Sequence, residues 1–139
     1  MGDRACCPTP HAKPTSSESI QFPFAVRNDD GLTPQEEAER RFEYVRAAAG
    51  TRIGDLDIES SPYFVVISDD VAAAYERTAA KTGVTLDVLR DHPNVLIGPV
   101  DAVVDTLQER REMFGINYVT LQQSQAERFA RVVARLTGT

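Results

Sequence analysis

Cys6, Cys7 and His11 fall together in "CCPTPH", a set that offers zinc two thiolates and an imidazole. A closed zinc site takes a fourth ligand, and the only other histidine, His92, lies far along the chain. The prolines around the cysteines favour a metal-free tail whose thiols are open to oxidation. Asp91 and His92 are neighbours before Pro93. Catalytic triads use that pair of residue types, but adjacent side chains seldom face one another and no nucleophile has the spacing to join them. A loop histidine is the simpler reading. Ile97-Gly98-Pro99 precedes a helical pattern whose N-terminus would present amides to an anion. Pro99 has no amide and Asp101 adds negative charge to the first turn, so Gly98 more simply permits a tight turn. Ser68 and Asp69, and Ser124 with Glu127, stand ahead of helical patterns, where hydroxyls and carboxylates satisfy free amides. Neither GxGxxG nor GxxxxGK(S/T) occurs.

Those residues need a scaffold, and composition bounds it. At 139 residues, 42% hydrophobic and 26% charged, the chain suits one globular domain. No tryptophan and 7% aromatics argue against an aromatic recognition surface. A net charge of −6 repels nucleic acid and anionic lipid, and Glu109 and Glu112 bracket the basic pair Arg110-Arg111. No nucleic-acid or membrane partner is expected, since no apolar run approaches the roughly 20 residues of a span. The N-terminus lacks the apolar region of a secretory signal, and Cys6 replaces the serine or threonine of a myristoylation motif. Two adjacent cysteines cannot clamp a fold. The expected location is the cytoplasm.

Proline and serine break all periodicity in residues 1–31, which read as a flexible tail. Within it, "IQFPFAV" is suited to lie against the body, and "NDDG" closes it with turn chemistry. The body, residues 32–139, begins with Thr33 as cap, Pro34 at the first helical position and Glu36 completing a capping box. Ala38, Phe42, Val45 and Ala49 form an apolar stripe before Gly50. Ile58–Ile67 reads as a strand in which Pro62 suggests a bend, an edge position or a start at Tyr63. An alanine-rich helix follows, capped by Ser68 and Asp69 and stopped by Gly83. Thr85 opens a short helical turn, and Val95, Leu96 and Ile97 read as a brief buried extended piece. A helix from Val100 to Phe114 ends at Gly115. Ile116–Leu121 is the second strand, and the last helix shows Phe129, Ala130, Val133 and Leu136 on one face. The class is α/β, with two parallel strands and four or five helices. Parallel strands are normally covered on both faces and extended sideways. A homo-oligomer or a partner supplying further strands is therefore expected.

Three stretches, "LTPQEEAERRFEYVRAAAGTRIGDLDIE", "FVVISDDVAAAYERTAAKTGVT" and "HPNVLIGPVDAVVDTLQERREMFGINYVTL", carry a resemblance when taken in order. With the closing "FARVVARLTG", they resemble the C-terminal third of luciferase-like monooxygenases, in the actinobacterial branch of F420-dependent oxidoreductases. The resemblance covers residues 32–139 and leaves 1–31 unplaced. It implies a fragment of a (β/α)8 TIM barrel, with Tyr63–Ile67 as the seventh strand and Ile116–Leu121 as the eighth. It also implies F420, or FMN in relatives, bound at the C-terminal ends of the strands, with hydride transfer to an unknown organic substrate. Such cofactors need little from the protein beyond placement and often one acid or base, supplied in barrels by loops after the strands. The corresponding positions are Ser68, Asp69 and Asp70 after the first strand and Gln122, Gln123 and Ser124 after the last; with Gly98 from the turn before the crossover helix, the expected cofactor-binding residues are Ser68, Asp69, Gly98 and Gln122. The first six strands of such a barrel have no counterpart here, so a truncated, non-catalytic relic and a small assembly or binding module are the alternatives to an oxidoreductase.

Overall fold

The computed structural model describes residues 24–137. Cys6, Cys7, His11 and most of the expected tail lie outside those residues.

The first helix, α1 (Pro34–Ala49), starts where its cap chemistry dictates. Thr33 Oγ1 accepts from the Glu36 amide at 3.2 Å, and Glu36 Oε2 accepts from the Thr33 amide at 2.8 Å. Thr33→Ala is expected to cost about 1 kcal/mol, against little change for Thr33→Ser. Urea denaturation of both variants measures it, and equal stability of the two would show that the box contributes nothing. The turn before the cap is held by Asn28, whose Oδ1 accepts from the amides of Asp30 and Leu32. Glu37 is buried but paired, with Arg40 and Arg41 each reaching its carboxylate at 2.6 Å.

A 3-10 turn (Gly50–Asp55) leads into β1 (Glu59–Ser60) and β2 (Phe64–Ile67). These are two pieces of the single expected strand. Pro62, which has no amide to donate, sits at the break, and Tyr63 resumes pairing by donating to Asn94 O at 2.7 Å. Then come α2 (Val71–Thr82), α3 (Leu86–Asp91), β3 (Val95–Gly98), α4 (Val100–Phe114), β4 (Tyr118–Val119) and α5 (Gln123–Leu136). Among the described residues the architecture is mixed α/β, with five helices and two two-stranded parallel sheets, β1 with β4 and β2 with β3. Among the described residues no barrel closes.

Two strands were expected where four short ones form. Val95–Gly98 is a full partner of β2, in register from Phe64 opposite Val95 to Ile67 opposite Gly98. Ile116–Leu121 shortens to a two-residue strand because the amides of Asn117 and Tyr118 both turn to the Ile58 carbonyl before regular pairing begins.

Val65, Ile67 and Leu96 pack with α4 and α5 through Val103, Leu107, Phe129 and Val132. α2 packs on β3 and on α3. A second cluster joins α1 to the end of α4, with Phe42 stacked on Phe114 at 4.6 Å between ring centroids and Ala38 and Ile116 beside them. The face of α5 differs from expectation. Val132 is fully buried, whereas Ala130 is exposed and Val133 is 51% exposed. Two helix starts also move. Asp70 caps α2 by accepting from the Ala73 amide at 3.1 Å, in place of Ser68 and Asp69. Gln122 stands at the cap of α5, its amide donating to Gln125 Oε1 at 3.3 Å, in place of Ser124 with Glu127.

Candidate functional site

Because β2 and β3 are parallel, their C-terminal ends lie side by side. The Ser68 amide donates to the Gly98 carbonyl at 2.9 Å, so Ser68, Asp69 and Gly98 share one rim. Ser68 Oγ donates to the Asp70 carbonyl at 3.2 Å, and Asp69 is exposed. A Cβ built on Gly98 would meet Ala102 Cβ at 3.5 Å, an ordinary contact, so neither close approach nor backbone conformation demands glycine there. Gln122 lies apart from this rim. It lines an open groove of about 520 Å³ against Tyr63–Val66, between α2 and the start of α5.

The groove holds what sequence reading missed. Arg77 and Lys81 line it from α2 and Arg128 from α5, with no carboxylate among its lining residues. An adjoining hollow at Ile67 adds Arg131 and one acid, Glu127. All four cations are exposed, and none makes an ion pair among the described residues. This basic ledge sits on a chain whose net charge is −6. The available signal was spacing: Arg77 and Lys81 at i, i+4 and Arg128 and Arg131 at i, i+3 each fall on one helix face. Nothing local says that the two faces meet.

His92 is a core residue. It is 2% exposed, its ring stacks under Phe24 at 4.3 Å between centroids, and its Nδ1 accepts from the Asn94 amide at 3.1 Å. Among the described residues no three potential metal ligands cluster. The stacking also shows Phe24, from the "IQFPFAV" stretch, lying against the body.

Arg110 is the second residue missed. It continues the buried stripe of Val103, Leu107 and Phe114 on α4. Its Nη2 donates to the Val95 carbonyl at 3.3 Å, while Nη1 is buried with no hydrogen-bond partner among the described residues. Burial lowers its pKa to about 10. It borders a small, partly open space of about 20 Å³, together with Glu59, Ser60 and Asn94. Nearby, burial raises the Tyr75 phenol, opposed by Arg90 and Arg110, with the Arg90 guanidinium 5.7 Å from the ring centroid.

The rim of Ser68, Asp69 and Gly98 does not by itself fit a polyanionic deazaflavin. It carries one free carboxylate, no cation, and a hydroxyl already engaged by its own loop. Among the described residues no helix is long and apolar enough to cross a membrane. Comparison with protein-family models, curated proteins and solved structures finds no match for this chain.

Proposed function

We propose that the chain derives from an F420-dependent, luciferase-like oxidoreductase, as a TIM-barrel fragment retaining the C-terminal strand–helix units, and that alone it neither holds the cofactor tightly nor catalyses. What supports this reading is the alternation of short parallel strands with helices, with Ser68, Asp69 and Gly98 gathered at the C-terminal ends of β2 and β3; the strand from Ile116–Leu121, expected beside Tyr63–Ile67, pairs with β1. Barrel enzymes place their ligand contacts at the C-terminal ends of their strands. Cofactor sites gain affinity by enclosing most of the ligand in a preformed concavity, and two adjacent strand ends make only a partial wall. Hydride transfer therefore requires strands from elsewhere.

Titration of the purified chain with F420, and separately with FMN, followed by absorbance and fluorescence, tests this. No saturation at low micromolar cofactor and no hydride transfer are expected. Mixing with a luciferase-like barrel that lacks its last strand–helix units is expected to form a complex that binds F420. Saturable binding of one cofactor per chain without any partner would overturn the non-catalytic reading, and failure to complement would count against the lineage.

The second reading is a small assembly module. It is favoured by the free edge of β2, which among the described residues has β3 as its one hydrogen-bonded neighbour. A strand edge left unpaired is a template for another chain.

A further inference from the structure

We propose that the edge of β2, unpaired among the described residues, receives an acidic, extended segment of a partner protein as an added strand. This deepens the assembly reading and is independent of the cofactor. A strand added beside Phe64–Ile67 would run in the groove between α2 and α5 and would project its side chains alternately to the two faces. On one wall it meets Arg77 and Lys81, on the other Arg128, and past Ile67 it meets Arg131. The floor is apolar, formed by Phe64, Val65 and Val66. The complementary segment therefore carries carboxylates on both sides of a β-branched centre. Main-chain hydrogen bonds to the edge give such a complex its affinity, and the alternating side chains give it selectivity.

Charge also decides against the simplest competitor, a second copy of this chain. Two β2 edges brought together would set the same basic ledge against itself, and like charges juxtaposed across an interface oppose association. The four cations are uncommitted among the described residues, so a partner's carboxylates would not have to displace internal ion pairs.

The test uses a labelled hexapeptide of alternating glutamate and valine, titrated against the purified chain by fluorescence anisotropy at physiological salt. Saturable one-to-one binding is expected, weakened by roughly tenfold or more in the Lys81→Glu, Arg128→Glu double variant. Methylating alternate backbone nitrogens of the peptide keeps its charge and removes its donors, and should weaken binding to a similar extent. Arg52→Glu, on the exposed 3-10 turn, should leave binding unchanged. Equal binding of the methylated peptide would reduce the effect to charge adsorption and overturn strand addition. Equal binding of a lysine–valine peptide would overturn the acidic specificity. Sedimentation showing a dimer that the peptide cannot dissociate would leave the assembly reading standing while sinking the acidic partner. A monomer that binds no peptide would sink both.

Discussion

Phe129→Ala is expected to lower stability by about 3–5 kcal/mol, the range for removing a buried aromatic ring. Phe129 is 3% exposed and packs in the cluster of Leu96, Val103, Leu107 and Val132, which is the contact that seats α5 against β3 and α4. The Asp101–Arg135 pair also ties α4 to α5, but both side chains are exposed, and such pairs contribute little. A domain of this size has only about 5–15 kcal/mol in total, so the loss takes a large share. Urea denaturation followed by far-ultraviolet circular dichroism reads it directly. Because Arg128 and Arg131 flank Phe129, peptide binding at the groove should fall in parallel, whereas Phe129→Leu should lose much less of both. A loss under about 1 kcal/mol would show that α5 is not docked by this ring.

Arg110→Met is expected to act in the opposite direction, raising stability at neutral pH by about 1–3 kcal/mol. The wild-type fold encloses a guanidinium whose Nη1 has no partner among the described residues and whose Nη2 makes one long bond to Val95 O. Burial lowers its pKa from the ordinary guanidinium range to about 10, so the charge is kept at neutral pH and its desolvation opposes folding. A depressed basic pKa leaves the penalty fully present below about pH 10, and stability rises only as pH climbs from there toward the ordinary guanidinium range. Methionine keeps most of the volume and lacks the charge, at the cost of the bond to the Val95 carbonyl. Paired thermal melts of wild type and variant at pH 7 decide the matter. A variant less stable than wild type by more than about 1 kcal/mol would mean that the guanidinium is satisfied in place.

Local chemistry was the legible part of this fold. Thr33 with Glu36, Gly83 and Gly115 mark helix ends through contacts within a few residues, and each stands where the pattern puts it. Choices among neighbours were not legible. Val132 and Val133 both continue the stripe from Phe129 at helical spacing, and only packing against Leu96 and α4 selects Val132. Ser68, Asp69 and Asp70 are all competent caps, and the hydrogen bond to Ala73 falls to the last. Val95–Gly98 is too short to announce itself as a strand, and what makes it one is the row of partners on β2. At the candidate site, Ser68 and Gly98 are brought together by parallel pairing, as strand ends must be. The basic ledge was hidden because Arg77 and Arg128 come from helices distant in sequence, and the overall negative charge points the other way.

The clasp between β1 and β4 has a consequence for the order in which the chain is put together as it is synthesised. Asn117 accepts from the Ile58 amide and donates to Leu56 O, Thr120 bonds Glu59 and Ser61, and Phe114 stacks on Phe42. Each of these contacts joins residues far apart in sequence, whereas β2, α2, α3 and β3 form one contiguous stretch. Contacts across a long intervening segment form late, because closing the loop costs entropy before any contact repays it. On a ribosome, α1 would emerge with Ala38 and Phe42 uncovered and wait through the synthesis of the whole middle of the protein for Phe114 and Ile116. Domains form from the N-terminus at about 5–20 residues per second, so that interval lasts several seconds. During it the apolar face of α1 is open to whatever holds nascent chains.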